Sequence, residues 1–161
     1  MHVLGLDIAD LRVVGVVADQ QGVVVRRARS EGPRAAQLAT ELAAGLTIVA
    51  FGAASETLPI DSSVLTVPNV PPAVVCTAGT ASVLAEAWVG AALGANHAIC
   101  LEIGARVFAG ILLDGRPWTG AHGLAGAAAW LALNPVERQD YRKLGSLAAE
   151  VSSHGIARRL S

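Results

Sequence analysis

The feature that most constrains the fold is a strand–turn–strand pattern that occurs twice in the chain. Residues 98–113 contain two apolar runs joined by a short turn, and an Asp114-Gly115 pair follows them. Apolar runs of this length around small-residue turns indicate antiparallel strands, and Asp-Gly is a strong hairpin signal. Residues 3–18 repeat the layout near the start of the chain. The repetition predicts two related lobes that face a cleft.

The patterns between the two repeats predict a mixed α/β layer. They favour a third strand at 23–29, a helix at 35–44, a buried strand at 46–51, a strand at 74–76 and a helix at 80–93. An order of β-β-β-α-β is typical of an α/β layer and not of a helix bundle or a β-sandwich.

The remaining segments predict how the chain divides. Four prolines limit residues 53–72 to loops and edge segments, and the charged residues 136–143 predict a surface loop before a helix at 147–160. We expect one lobe over residues 1–92 and the start of a second over 93–161.

Charge and hydropathy exclude several classes of protein. The net charge is −1, with 12 basic against 13 acidic residues, so no nucleic acid or membrane surface is expected as a partner. No apolar run reaches the length of about 18 residues that a membrane span needs. The first residues lead straight into a strand pattern, and Cys76 and Cys100 lack metal-ligand spacing. We therefore expect a cytoplasmic protein with two reduced core cysteines.

Short motifs along nearly the whole chain are similar to those of one known family. They are Gly-Leu-Asp-Ile at 5–8, Ala-Asp-Gln-Gln-Gly at 18–22, Val-Pro-Asn-Val-Pro at 67–71, the helix at 80–86, Leu-Leu-Asp-Gly-Arg at 112–116, Gly-Ala-His-Gly-Leu-Ala-Gly at 120–126 and Leu-Gly-Ser-Leu-Ala at 144–148. With these motifs the chain resembles the ROK family (repressors, open reading frames and sugar kinases) of the actin–hexokinase superfamily. The resemblance implies an α/β ribonuclease-H-like (actin-like ATPase) lobe plus the first part of a second lobe of the same type.

The resemblance also implies where phosphoryl transfer would take place. That reaction needs phosphate oxygens held by backbone N–H groups and a base beside the sugar hydroxyl. The family's general-base position falls on Ala78, and its nucleotide phosphate positions fall on Asp7, Gly104 and Arg106. Alanine cannot accept a proton, so the resemblance implies that the chain has no catalytic residue.

Both phosphate loops depart from the family pattern. The first reads Asp-x-Gly-Gly-Thr-Lys in the family, and here only Asp7 remains while Asp10 brings a negative charge. In the second loop Val107 and Phe108 are expected to fill the space that a nucleotide needs. Asp7 is interpreted either as a carboxylate beside hydrated Mg²⁺ or as a turn cap, and Arg106 either as an anion contact or as a solvated turn residue.

On the sugar side, the resemblance makes Asn69 and His122 the candidate contacts. Their alternatives are a turn residue after Pro68 and a loop-packing histidine. The family's Glu-x-Gly-His motif falls on residues 127–130, with Ala127 and Trp130 at its two functional positions. We expect Trp118 and Trp130 to lie in the core, with stacking on a sugar ring as the alternative.

The family's zinc pattern falls on residues without thiols. Its positions are Gln139, Tyr141, Arg142, Gly145 and Ser146. No structural zinc is expected, because thiolates are the ligands of such a site. No cofactor is expected at all, and ATP with Mg²⁺ would enter only in a working kinase.

These departures favour a shortened, non-catalytic ROK-like protein that acts as a binding or interaction module. One alternative is an ATP-dependent sugar kinase of glucokinase type, whose missing half is supplied by another polypeptide or lies beyond this sequence. A second alternative is the effector lobe of a sugar-responsive repressor. A shortened second lobe would leave a sheet edge and an apolar face uncovered, so we expect a homodimer or another partner there, with a sugar as a further possible ligand.

Overall fold

A computed structural model describes residues 1–9, 11–32, 34–55, 60–132 and 138–160. The chain divides into two compact units, unit 1 at Met1–Ala78 and unit 2 at Gly79–Ser161. The assignment of ROK-like lobes to residues 1–92 and 93–161 stays a prediction.

Unit 1 is a sheet of five strands. Its elements are β1 (His2–Ala9), β2 (Arg12–Asp19), β3 (Val24–Glu31), α1 (Ala35–Ala43), β4 (Ile48–Ser55), a 3₁₀ helix (Ser62–Leu65) and β5 (Val74–Thr77). The strand order is β3-β2-β1-β4-β5. The first three strands form an antiparallel meander, and β4 and β5 continue the sheet in parallel from β1. The β-β-β-α-β order predicted from the sequence is confirmed.

The core of unit 1 lies between one face of this sheet and α1. Leu4 and Leu6 are 2% and 4% exposed, because successive side chains of a strand point to opposite faces. Leu38 and Leu42 of α1 pack on the same cluster. A Cβ added at Gly15 would lie 2.4 Å from Cδ1 of Leu42, so a side chain there would require the leucines of this core to shift. Each buried leucine contributes about 1.5–3 kcal/mol to the free energy of unfolding.

Unit 2 contains a smaller sheet and short helices. Its elements are α2 (Ala78–Val89, which starts at the last residue of unit 1), β6 (Ala98–Ile103), β7 (Val107–Leu113), β8 (Arg116–Pro117), a 3₁₀ helix (Ala128–Trp130), α3 (Gln139–Leu144), α4 (Ser146–Val151) and α5 (Ser153–Leu160). The strands form an antiparallel sheet in the order β6-β7-β8.

Two glycines allow α2 and β7 to meet backbone to backbone. A Cβ at Gly79 would lie 2.1 Å from the carbonyl oxygen of Ala109, and one at Gly110 would lie 1.8 Å from the carbonyl oxygen of Gly79. No side chain fits at such distances, so glycine is required at both positions.

The last third of the chain differs from the sequence prediction. The charged segment at 136–143 was expected to be a surface loop, yet α3 starts within it at Gln139 (residues 133–137 lie outside the described part). Tyr141 is 7% exposed, and its burial holds the segment in a helix. The single helix expected at 147–160 is two helices, with the buried Ser152 extended between them and its hydroxyl accepting the N–H of Gly155.

No helix among the described residues is long and apolar enough to cross a bilayer.

Candidate functional site

In unit 1 the parallel strands β1, β4 and β5 end on the same side of the sheet, and several candidate residues lie at these carboxyl ends. Asp7 lies opposite Ala54 in the β1–β4 register, and Ser55 lies opposite Thr77 in the β4–β5 register. Ala78 follows Thr77 directly and begins α2. Ligands of open α/β sheets bind at this edge, so unit 1 brings Asp7 and Ala78 to the end of the sheet where a site is expected.

Asp7 keeps a carboxylate at that edge beside a basic side chain. Its Oδ2 lies 3.9 Å from an Nη of Arg12, and the two side chains are 47% and 57% exposed. An exposed pair at this distance stabilises the fold very little. Asp7 is therefore accessible to solvent, with one positive charge close by.

Ala78 is 9% exposed, so a methyl group occupies the position that the resemblance gives to the general base. Neither the side chain nor its surroundings in the first turn of α2 supplies a proton acceptor of the carboxylate type, because Gly79 and the buried Thr80 follow. The geometry at this point supports packing and not proton transfer.

Asn69 occupies an exposed turn between Val67 and Val70. Its φ is 59°, which is the left-handed conformation that asparagine tolerates better than most residues. The N–H of Val70 donates to the carbonyl of Val67 across the turn, at 3.3 Å. The turn interpretation of Asn69 is confirmed, and its role as a sugar contact stays a prediction.

In unit 2 the segment on which the family's second phosphate loop falls is a closed turn between β6 and β7. The N–H of Gly104 donates to the carbonyl of Arg106 at 2.9 Å, and the N–H of Ser153 donates to the carbonyl of Gly104 at 2.9 Å. Nδ1 of His154 lies 3.0 Å from the carbonyl oxygen of Ala105. A phosphate loop presents free N–H groups to its ligand, whereas this turn directs that of Gly104 inward. Gly104 and Arg106 are both exposed, and they lie together in the turn.

The two residues that were expected to fill the nucleotide space have different positions. Val107 is 4% exposed and belongs to the core beneath the 3₁₀ helix at Ala128–Trp130 and α4, so the expectation for this side chain is wrong. Phe108 is half-buried on the opposite face of β7.

His122 lies at the exposed tip of the loop at 120–126. Gly120, Gly123 and Gly126 all have positive φ, and the carbonyl of Gly126 accepts the N–H of Ala109 on β7 at 2.8 Å. A Cβ at Gly126 would lie 2.0 Å from the carbonyl oxygen of Ala109, so glycine anchors this loop to the sheet. His122 is exposed, and both its sugar contact and its loop-packing role stay predictions.

Trp118 and Trp130 are 54% and 58% exposed, so the expectation that both lie in the core is wrong. The core of unit 2 is built from Val107, Ala109, Ala128, Leu147 and Ala148. These side chains are mostly small. The aromatic face of Trp130 is accessible, so stacking on a sugar ring stays a prediction for this residue.

Ionic contacts occupy the segment on which the family's zinc pattern falls. The Tyr141 hydroxyl donates to Oε1 of Glu150 at 2.6 Å, and Arg138 donates to Asp140 at 2.6 and 3.1 Å. The described residues contain no group of three or more histidine, cysteine or acidic side chains with metal-binding geometry. Arginine, tyrosine and serine at the family positions do not fit a structural zinc.

Sequence reasoning missed three polar residues at the strand ends. Ser55 and Thr77 end β4 and β5, and Glu102 lies near the end of β6, where the hydroxyl of Ser82 donates to its Oε2 at 2.8 Å. The signal was present: Leu101-Glu102-Ile103 repeats the Leu6-Asp7-Ile8 pattern of β1.

A cavity of about 360 Å³ lies on the other face of unit 1, beside the start of α1. Its lining is apolar apart from Arg34 and Gln37 and includes Ile8 but not Asp7. Because Ile8 and Asp7 point to opposite faces of β1, this cavity is separate from the candidate residues.

Comparison with known proteins gives one family and one fold. A sequence model described as the ROK family matches residues 52–141. No curated protein matches the chain.

Three solved structures illustrate the structural likeness. A ROK hexokinase from Thermus thermophilus superposes with a TM-score of 0.80 at 23% identity, over 99% of this chain and 63% of that one. A ROK family glucokinase from Streptomyces griseus, solved with glucose and AMPPNP, gives 0.72 at 19% identity, over 98% and 59%. A ROK family transcriptional regulator, a homologue of the E. coli MLC protein, gives 0.75 at 20% identity, over 99% and 48%.

At these identities the likeness shows the fold, which is that of the actin-like ATPases. The predicted α/β ribonuclease-H-like class is thereby confirmed. The chain spans about three fifths of the length of the two kinases and about half that of the regulator.

Proposed function

The chain belongs to the ROK family, and from this premise we propose that it is a non-catalytic relative of the family's sugar kinases, which binds a sugar without phosphorylating it. The hexokinase and glucokinase activities named for its structural neighbours belong to those proteins. The proposal rests on this chain's own residues at the equivalent positions.

The observation that carries the proposal is the buried methyl group of Ala78 at the general-base position. A positioned base contributes about 10²–10⁴-fold to the rate of such a reaction. The closed turn at 104–106 adds to this loss, because the N–H of Gly104 donates to the carbonyl of Arg106 and is not offered to a phosphate oxygen. Both losses act on phosphoryl transfer, and neither involves the exposed residues Asn69, His122 and Trp130.

A coupled assay with ATP-Mg²⁺ and a panel of hexoses tests the absence of catalysis. We expect no turnover above background for the wild-type chain or for Ala78→Asp, because a restored carboxylate does not open the turn at Gly104. Turnover by the wild type that disappears in Asp7→Ala would contradict the proposal and would establish a kinase.

The sugar side is supported by exposed groups of suitable chemistry. In unit 2, His122 presents a hydrogen-bonding side chain from an exposed loop and Trp130 presents an aromatic face. Asn69, in an exposed turn of unit 1, stays a separate candidate. Aromatic rings offer a large apolar surface that suits the C–H face of a pyranose. We therefore propose a hexose as the ligand.

Trp130 gives the sharpest test of sugar binding. Trp130→Ala is expected to weaken hexose affinity about tenfold, which corresponds to about 1.4 kcal/mol and to the loss of one stacking contact. Trp88→Ala is the matched control, because Trp88 is an exposed tryptophan as well, at 44%, but lies on α2. Calorimetric titration of both variants with glucose and mannose measures the difference, and equal affinities would contradict a role for Trp130.

One observation favours a second candidate, an ATP-dependent sugar kinase that another polypeptide completes. Asp7 keeps its carboxylate at the carboxyl edge of β1 and β4, where it could meet a hydrated Mg²⁺. ATP and Mg²⁺ belong to this candidate alone. Repeating the assay with such a polypeptide, once identified, separates the two functions by turnover.

We propose that the protein works in the cytoplasm. Cys76 and Cys100 are free thiols in different units, and burial raises the pKa of both, which keeps them protonated and unreactive. Free, unreactive thiols suit a reducing compartment.

A further inference from the structure

The cavity of unit 1 has the size and the lining of a ligand site. Its volume of about 360 Å³ falls within the range of small-molecule pockets, about 300–1,000 Å³. Its most buried lining residues are Val13 and Leu65, at 0% and 2% exposed, and the half-buried Ile8 and Ile60 adjoin them. All four side chains are aliphatic, so the interior of the cavity favours an aliphatic ligand.

The polar side chains of the cavity lie at its mouth, because both Arg34 and Gln37 are exposed. The Gln37 amide is already engaged, since its Nε2 donates to Oε1 of Glu41 at 3.0 Å. The Arg34 guanidinium has no ion pair or hydrogen bond with another described residue. The mouth therefore carries one positive charge with its donors still available.

The start of α1 adds positive potential at the same mouth. Arg34 is the N-cap of this helix, which has no side-chain cap and no acidic residue in its first turn. The first N–H groups of a helix lack intrahelical acceptors and carry a partial positive charge. Because the guanidinium and the helix start have the same sign, a bound anion would relieve their repulsion.

This combination distinguishes between classes of ligand. A sugar fits poorly, because only Arg34 and Gln37 among the described lining residues could pair its hydroxyl groups in an otherwise aliphatic cavity. A phosphate ester carries up to two negative charges against one guanidinium. A carboxylate carries one charge, and its two oxygens match the planar donors of arginine.

We propose that this cavity binds a carboxylate with an aliphatic chain, whose carboxylate lies at Arg34 and whose chain packs on Val13 and Leu65. A cavity of about 150 Å³ holds benzene, so one of about 360 Å³ holds a ligand of roughly 12–14 non-hydrogen atoms. Decanoate is of this size and is the probe. The inference concerns unit 1 and is independent of sugar binding and of catalysis.

NMR of the isoleucine δ1-methyl groups in the full chain locates the bound probe. Decanoate is expected to shift the methyl signals of Ile8 and Ile60 until they saturate. Ile99 is the internal control against unspecific adsorption, since it is 75% exposed on β6 and its signal is expected to stay in place. Decanol has the same chain without the charge and is expected to bind about tenfold more weakly.

Three variants separate recognition of the carboxylate from burial of the chain. Arg34→Gln is expected to weaken the binding of decanoate about tenfold and to leave that of decanol unchanged. Arg27→Gln is the matched control and should bind like the wild type, because the exposed Arg27 pairs with Val16 on the face away from α1. Ala36→Phe fills the cavity from α1 and is expected to abolish the binding of both probes.

Circular dichroism checks that each variant folds, and Arg34→Gln tests the proposal without touching the core. Three results would overturn the proposal. The first is the absence of a saturable shift at Ile8 and Ile60 at the solubility limit of decanoate. The second is an equal loss of affinity in Arg34→Gln and Arg27→Gln, or equal affinities of the wild type for decanoate and decanol. The third is a shift of Ile99 that follows the same curve as that of Ile8, which would show unspecific adsorption.

Discussion

Glu150 joins α3, α4 and α5 of unit 2 through one carboxylate. It accepts hydrogen bonds from the Tyr141 hydroxyl at 2.6 Å and from Arg138 at 3.1 Å, and it also pairs with Arg159. The Cζ atom of Arg138 lies 5.0 Å from the centre of the Tyr141 ring. Where the family has a zinc pattern, this chain links its short helices by charge and hydrogen bonds.

The contacts of Glu150 shift two pKa values in opposite directions. The hydrogen bond from Tyr141, helped by Arg159 and Arg138, lowers the pKa of Glu150, and the same hydrogen bond raises the pKa of Tyr141. A lowered carboxyl pKa contributes stability above the unfolded value of about 4.3, which is lost as the pH falls through the folded pKa. A raised tyrosine pKa contributes stability below about 10, which is lost as the pH rises through the folded pKa.

Glu150→Gln is therefore expected to lower the Tm most at neutral pH. The difference from the wild type should shrink as the pH falls below about 4.3 and through the lowered pKa of folded Glu150, because the wild-type carboxylate then becomes neutral like the glutamine amide. Thermal unfolding of both proteins from pH 3 to pH 8 measures it. Glu41→Gln, on the exposed side of α1, is the control and should follow the wild-type curve. A constant difference between wild type and Glu150→Gln at every pH would contradict the assignment.

At the scale of single residues, the sequence predicted the chemistry of a position wherever the residue type alone decides it. A methyl group at Ala78 and the absence of thiols around Tyr141 could be read directly. The pairing of Tyr141 with Glu150 could not, because the two residues are nine positions apart on different helices. The solvent exposure of single side chains could not be predicted either. A tryptophan such as Trp130 is usually a core residue, and only the structure shows that the core of unit 2 consists mostly of smaller side chains.

At the scale of helices and strands, the contact between α2 and β7 depends on the absence of a Cβ atom at two glycines. Gly79 and Gly110 face each other with no space for a Cβ on either. This close approach sets how α2 lies on the sheet of unit 2. We therefore expect a substitution at Gly79 or Gly110 to destabilise this contact.

Gly110→Ala is expected to destabilise the protein by about 3 kcal/mol, because the added methyl group forces the helix away from the strand. Gly104→Ala is the control in the same unit, where a Cβ meets nothing within 4 Å. Denaturant unfolding of both variants gives the free energies. A loss below about 1 kcal/mol for Gly110→Ala would show that α2 shifts freely.

The strands were the elements best predicted from the sequence. Residues 98–103 and 107–113 match β6 and β7, because two apolar runs around a small-residue turn have few other structures open to them. The helix at α3 was missed, since its charges resemble those of a loop and its stability comes from Tyr141 and Glu150. The local hydrophobic pattern thus predicted β6 and β7 correctly. It did not predict α3, which tertiary contacts stabilise.

On the scale of the whole molecule, the chain has one complete sheet and one partial sheet of related design. Unit 1 has five strands and unit 2 has three, and the meander of unit 2 repeats that of unit 1. The strand–turn–strand pattern that repeats in the sequence predicts this repetition. It does not predict the difference in exposure between Leu6 of β1 and Leu101 of β6, because the exposure of a strand depends on the layers packed against it.

The closed turn at Gly104 has an evolutionary consequence. Its N–H and its carbonyl each have a backbone partner, in Arg106 and Ser153. A lost side chain can return by one codon change, but these hydrogen bonds involve the main chain of two segments. If the proposed function holds, opening this turn to a phosphate would therefore need several simultaneous changes. Single codon changes can alter the exposed side chains that bind a ligand far more readily.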